Sequence, residues 1–589
     1  MRFLGNVLAT VIGLIVFVLL LIFGSIFLVT AISSQSQEVV KIEQNSILKL
    51  TLDRPIQERI EEENPFDDLD IFPGMSPVPL GLIELKGEIE NASLDPDIEG
   101  IYLELSVVSA GFATLEELRN SLIKFKESDK FIVAYGEYYS EGAYYLASIA
   151  DEVYLNPAGL MEFDGLSTEI VYYKEFLNNI GIEPEIFRVG EYKSAVEPFL
   201  RNDMSPENRY QIQEYMGDLH QHYLEKVAEA REIDLPTITE ISDNALIRKP
   251  GDAVKYNLVT DTVYYDQVLS ILKARVGAGD DGLNLISYKK YTKSTRYNRQ
   301  DFSSNKVAVI VAEGQIISGE GGSGFLGGNK IAAEIRKARN NESIKAIVLR
   351  INSPGGSALA SDVMWREVKL AAEVKPVIAS MSDVAASGGY YMAMAADTIV
   401  AYPNTITGSI GIFALLFNAE DLLTNKIGLN FETVSTGKFS NLASPTERFS
   451  EAERQYLQQS VERGYESFVG KAAAGRNLSI DSLKSLASGR VWTGSDAVER
   501  GLVDFEGGIG DAIRIAAESA GLGDDYMVRY YPEKKDFLTE LLNNPMDQVN
   551  SMFYSDEQKL LAPLVKQMEK LNAMEGTQVL LPFQVNSFE

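Results

Sequence analysis

The sequence contains no cysteine, which excludes a disulfide framework, a thiolate nucleophile and a thiolate metal site. Histidine is nearly as scarce. The two present, His220 and His222, stand two residues apart in a predicted helix. Side chains so spaced do not face one another, so they make a poor metal pair and read as solvated helix residues. No G-x-S-x-G elbow accompanies them, no Asp-Thr-Gly or Asp-Ser-Gly pair suggests an aspartic dyad, and H-E-x-x-H and Walker motifs are absent. No metal and no cofactor are expected. Basic residues are outnumbered, and a net charge of −30 argues against a nucleic-acid partner, whose phosphates most of the surface would repel. What remains for hydrolytic chemistry is Ser or Thr paired with Lys.

Charge is also missing from one long stretch. Val7 to Ile32 is 26 residues without an ionisable side chain, rich in Val, Ile, Leu and Phe. At about 1.5 Å per residue this run exceeds the roughly 30 Å hydrocarbon core of a bilayer. A cleavable signal core is usually about 7–15 residues, so a retained transmembrane anchor over residues 1–36 is favoured. Arg2 and the terminal amine precede the span, which predicts an inside N-terminus and an exported body.

The rest of the chain, part of 589 residues with 45% apolar side chains, is too long for one core and repeats itself. Gly100-Ile-Tyr-Leu-Glu-Leu-Ser106 matches Ala346-Ile-Val-Leu-Arg-Ile-Asn352, and the stretch from Lys130 matches that from Lys375. Tyr144 pairs with Tyr390, Asp151 with Asp397, Pro157 with Pro403 and Gly165 with Gly411, each pair 246 positions apart, whereas Gly190 and Gly437 differ by 247. This spacing predicts two copies of one domain, residues 37–280 and 306–525, with a polar linker at 281–305 and a tail at 526–589. Within each copy, short apolar runs such as "KAIVLRIN" and "PVIASM" flank a helical pattern. Alternating β and α predicts an α/β fold with largely parallel sheets.

Two glycine-rich turns stand out in the second copy. "INSPGGSALASD" follows a buried strand and opens a helix, so the N–H groups around Gly355 and Gly356 could bind an oxyanion, although an ordinary strand-to-helix turn reads the same way. "DVAASGGYYMAMAA" puts Ser387 at a predicted helix start. There it is either an N-cap or a nucleophile whose developing charge meets the positive end of the helix.

"INSPGG", "ASGGYY", "TGSIGIF", "FRVGEYKSAVEPF" and "NDMSP" together resemble the signal peptide peptidase A family in its long, duplicated form. The likeness covers roughly residues 80–525. It implies a tandem duplication of a Clp protease/crotonase-like α/β domain behind one N-terminal transmembrane helix. It implies that Ser387 is the nucleophile and Lys193 of "YKSAVEPF" the general base. Gly388 and the Gly355–Gly356 turn would form the oxyanion hole, and Ser409 of "TGSIG" would hold the lysine. The implied activity is a serine endopeptidase of the inner membrane that degrades remnant signal peptides on the outer or periplasmic face. The implied assembly is a ring-like homo-oligomer, a tetramer. The rivals are a crotonase-like acyl-CoA hydratase or thioesterase and an inert membrane scaffold.

The repeat places Ser387 opposite Glu141, Gly355 and Gly356 opposite Ser109 and Ala110, and Ser409 opposite Phe163. Lys193 falls opposite Ser440, and the nearby Lys438 opposite Glu191. Each copy keeps one half of the dyad. The site must lie where an N-terminal copy meets a C-terminal copy, within one chain or between two.

Overall fold

The computed structural model describes residue 13 and residues 40–60, 79–279, 282–294, 303–322, 324–534 and 576–580. Two parallel sheets form the body. The first runs in the order Asp261–Thr262, Glu152–Met161, Phe131–Tyr139, Ile98–Glu104, Ser46–Thr51, Leu285–Ser287, and all its pairings are parallel. The second runs Val491–Thr493, Ile406–Gly408, Val377–Ala386, Ile344–Ser353, Lys306–Glu313, Met527–Tyr531. Its central pairings are parallel, and Val491–Thr493 closes one edge antiparallel. Central strands such as Ile98–Glu104 and Ile344–Ser353 are buried on both faces, as continuous apolar runs require.

The two copies repeat their contacts as well as their pattern. Tyr144 Oη donates to the Leu258 carbonyl at 2.6 Å, and Tyr390 Oη to that of Leu502 at 3.1 Å. Asp151 accepts from the Ile132 N–H at 2.8 Å, and Asp397 from that of Val377 at the same distance. The offset is 245 at Ile132/Val377 and 246 at Asp151/Asp397. The slip is absorbed in the strand between them, nine residues long in the first copy and ten in the second.

Two stretches differ from expectation. Part of the polar stretch read as a linker is structure: Leu285–Ser287 is the edge strand of the first sheet, and Tyr291 is buried with its hydroxyl 3.1 Å from Asp95. Within the predicted tail, Met527–Tyr531 joins the second sheet and Gly576–Leu580 a third. The predicted anchor, Gly13 apart, lies outside the described residues; among the described residues no helix is long and apolar enough to cross a membrane.

A buried polar seam joins the copies. Glu58 grips Arg350 through two hydrogen bonds of 2.7 and 3.1 Å, both side chains being wholly buried. Thr114 donates its N–H and hydroxyl to Asp383 at 2.7 and 2.6 Å. Burial first, and the Glu58 carboxylate next, push the Glu313 carboxyl well above its usual range, and burial raises Asp383. Neither histidine is freely solvated, contrary to expectation. His222 sits 2.7 Å from Glu116, which also holds Asn404 across the seam, and His220 lies 3.1 Å from Ser242. Among the described residues no cluster of His, Asp and Glu could hold a metal.

Candidate active site

Lys193 follows the strand Glu183–Val189 of the first copy, and Ser387 immediately follows the strand Val377–Ala386 of the second. The fold brings them together within one chain. Lys193 Nζ lies 2.7 Å from Ser387 Oγ and 3.0 Å from both the carbonyl and the hydroxyl oxygen of Ser409. Lys193, Ser387 and Ser409 are all wholly buried. Burial alone drives the Lys193 ammonium well below its ordinary range, and among the described residues no carboxylate pairs with it. In the neutral form the amine has two N–H groups and one lone pair. The N–H groups suit the two Ser409 oxygens, and the lone pair then faces the Ser387 hydroxyl. Ser409 Oγ is itself placed 3.3 Å from the Gly489 carbonyl.

Ser387 occupies the N-cap position of the helix Gly388–Ala393, its carbonyl accepting from the Tyr391 N–H at 2.8 Å. Its side chain makes no capping bond, whereas that of Ser140 in the first copy does, accepting from Ala143 N–H at 3.3 Å. Its backbone sits at φ 55°, ψ −108°, and Ser409 at φ 50°, regions that non-glycine residues seldom occupy. The Ser387 N–H is tied to the Gly408 carbonyl at 2.8 Å, which helps hold this conformation. Such strain gathers where a side chain must be aimed.

The glycines fit tightly around the serine. A Cβ on Gly388 would lie 2.6 Å from Ser361 Oγ and 3.0 Å from Gly355 Cα, so the two turns are in contact. Gly355 and Gly356 have φ of 101° and 151°, and a Cβ on Gly356 would strike the Ile316 carbonyl at 2.0 Å. The Gly355 N–H points at Ser353 Oγ, 3.2 Å away.

A third sheet lies beside this cluster, and its order includes Gln315–Ile317, Gly355–Ser357, Gly576–Leu580, Ile412–Asn418, Glu183–Val189. The C-terminal strand Gly576–Leu580 occupies the slot between the glycine turn and the strand after Ser409. It pairs antiparallel with both, Gly356 opposite Val579 and Phe413 opposite Gln578.

One contributor went unread in the sequence. A Cβ on Gly489 would meet Lys193 Cβ at 2.6 Å, and Gly489 has φ 80°. Its neighbour Ser488 accepts from the Tyr192 N–H at 3.0 Å, so the turn at 488–489 clamps the lysine loop. From the other side Gln211 donates to Ser194 Oγ at 2.9 Å and to the Tyr192 carbonyl at 3.1 Å. The only cue in the sequence is a lone Ser-Gly before Arg490.

The profile of peptidase family S49 matches residues 124–279 and 369–523, once in each copy. The chain belongs to that family. As a member of S49 it is a serine peptidase, and its relatives place it with the signal peptide peptidase A group. It is 36% identical to Protease 4 of Haemophilus influenzae over 578 residues, 94% of this chain and 93% of that one. It is 38% identical to the chloroplastic serine protease SPPA of Arabidopsis thaliana, over 75% of this chain and 66% of that one. A putative signal peptide peptidase SppA of Enterococcus faecium is 31% identical over 45% of this chain and 78% of its own length. The two S49 matches agree with a tandem duplication of one α/β domain.

Proposed function

We propose that this S49 peptidase is a membrane-anchored endopeptidase that cuts extended apolar peptides, remnant signal peptides foremost, with a Ser387/Lys193 dyad. The observation that carries this reading is the 2.7 Å approach of a wholly buried, carboxylate-free lysine amine to the Ser387 hydroxyl. Neutral Lys193 takes the Ser387 proton as Oγ attacks the peptide carbonyl. The oxyanion is met by the N–H of Gly388 and of the Gly355–Gly356 turn. The lysine ammonium then gives its proton to the leaving amine, an acyl-enzyme remains, and a water deprotonated by Lys193 releases the second product. Ser409 keeps the amine aimed throughout.

The slot beside the dyad supports an extended peptide as substrate, because an extended stretch of this same chain fits it as a strand. Main-chain pairing of that kind is tolerant of sequence. The uncharged run at Val7 to Ile32 supports a single-pass anchor in the inner membrane with the body on the outer or periplasmic face. A ring-like homo-oligomer, expected to be a tetramer, belongs to the same reading.

The test is peptide hydrolysis by Ser387→Ala and Lys193→Ala, each expected to lose about 10⁴-fold or more. Because both side chains come from one chain, co-expressing the two variants is expected to restore nothing. Wild-type turnover by either variant overturns the dyad, and restored turnover on co-expression overturns its one-chain form.

A further inference from the structure

The turn Ser488-Gly489-Arg490 of the second copy gives three consecutive carbonyls to the supports of the dyad. Ser488 accepts from the Tyr192 N–H at 3.0 Å, Gly489 from the Ser409 hydroxyl at 3.3 Å and Arg490 from the Ser409 N–H at 2.7 Å. One turn therefore meets both the loop that carries Lys193 and the residue that holds its amine. The Arg490 side chain reaches the same loop by a different contact. Its guanidinium carbon lies 4.0 Å from the ring centre of Trp492, 5.1 Å from that of Tyr210 and 5.5 Å from that of Tyr192. Cation and ring face attract at such distances, and among the described residues the buried Nε has no hydrogen-bond partner. Tyr192 directly precedes Lys193, Tyr210 stands on the helix Pro206–Arg231 of the first copy, and Trp492 lies in the strand Val491–Thr493 of the second. One cation thus ties elements of both copies to the lysine loop.

The duplication shows that the turn itself does not need this cation. An offset of 244 relates Leu258 to Leu502 and Asp252 to Asp496, and it sets Ala245 opposite Gly489 and Leu246 opposite Arg490. Ala245 has φ 45° and Gly489 φ 80°, so the left-handed bend recurs in both copies. The cation stands only in the copy whose turn touches Lys193. A feature confined to that copy points to the site and not to the fold.

We propose that Arg490 is a positioning residue for the dyad: by gripping Tyr192 and Tyr210 it presses the 488–490 turn onto the lysine loop and keeps the Lys193 amine on its line to Ser387. This rests on the Ser387/Lys193 reading and adds a residue that acts on the amine through the loop. The charged groups around that loop are Arg188, whose guanidinium reaches the Lys193 carbonyl at 3.5 Å, the exposed Glu191, and Arg490. The helix Pro206–Arg231 meets the loop with the neutral side chains Gln211 and Tyr210, and Ser409 offers the amine only neutral oxygens. Burial alone depresses the amine, so a loosened loop acts by letting water in, which favours the ammonium.

The test uses the full-length chain with Arg490→Gln, Tyr210→Ala or Tyr210→Phe, measuring kcat, KM and the pH profile of peptide hydrolysis, with urea unfolding alongside. Arg490→Gln is expected to lower kcat about 10-fold or more while KM stays within about twofold. The limb of the profile set by Lys193 is expected to move to higher pH. Tyr210 is 44% exposed, so its truncation spares the core. Tyr210→Ala should reproduce the fall in kcat and the moved limb, and Tyr210→Phe, which keeps the ring, should reverse both. Arg275→Gln is the control: that guanidinium lies 5.2 Å over Phe131 and 2.9 Å from Glu152 in the first copy, so its loss should lower stability and leave the limb in place. An unchanged kcat in Arg490→Gln, a fall in kcat with an unmoved limb, or a limb moved equally by Arg275→Gln overturns the positioning role and leaves the dyad standing. Wild-type turnover by Lys193→Met overturns both.

Discussion

Gly489 lies against Lys193 so closely that a single added methyl would sit 2.6 Å from the lysine Cβ. The two residues are 296 positions apart, yet the turn carrying one sets the position of the other. Gly489→Ala is expected to move the amine off its line to Ser387 and lower kcat/KM by about 10²-fold or more. Gly501→Ala is the control: Gly501 also has a positive φ, 71°, but a Cβ there meets nothing within 4 Å. It bears the backbone strain of about 1–3 kcal/mol without touching the site, so its activity per folded molecule should be retained. Equal losses in the two variants would show that strain, not contact with Lys193, is responsible.

The buried lysine sets a pH dependence of known sign. Its folded pKa is depressed by burial, so the working neutral amine fills as pH rises through a value well below 10.5. kcat/KM should climb with pH and level off in that lower range. In the window between the folded pKa and the unfolded value near 10.4, the native chain binds fewer protons than the unfolded one. Stability attributable to Lys193 therefore increases with pH across that window. Lys193→Met should be inactive and lack this part of the slope, measured by urea unfolding at about pH 6 and pH 9. Parallel slopes for wild type and variant would mean that the lysine stays charged in the fold.

The strand Gly576–Leu580 fills the slot between Gly355–Ser357 and Ile412–Asn418, where the proposed function puts an extended peptide. Removing residues 576–589 is expected to raise kcat/KM for an extended peptide severalfold, with KM carrying most of the change. Unchanged kinetics in a folded, truncated protein would show that this segment does not compete with substrate.

The duplication could be read from residues whose roles are local. Tyr144 and Tyr390, or Asp151 and Asp397, recur because each copy needs the same hydroxyl-to-carbonyl and carboxylate-to-N–H contact inside its own core. The parallel sheets followed from apolar runs buried on both faces. Ser387 and Lys193 were pointed to by motif resemblance, and only coordinates could show that one chain supplies both. Gly489 was invisible because its constraint comes from a loop of the other copy. The strand at Gly576–Leu580 was equally hidden: a five-residue "GTQVL" has no diagnostic period, and its partners come from sites far upstream. Leu285–Ser287 was masked by the polar residues around it.

A Ser387 hydroxyl made nucleophilic by a neutral amine is tested most directly by covalent capture of that oxygen. The full-length protein is treated with a fluorophosphonate at neutral pH, and the modified residue is mapped by mass spectrometry. Modification is expected at Ser387, lost in Ser387→Ala and reduced about 10²-fold or more in Lys193→Met. Modification of a different serine, or undiminished capture of Ser387 without the lysine, would contradict the Ser387/Lys193 dyad.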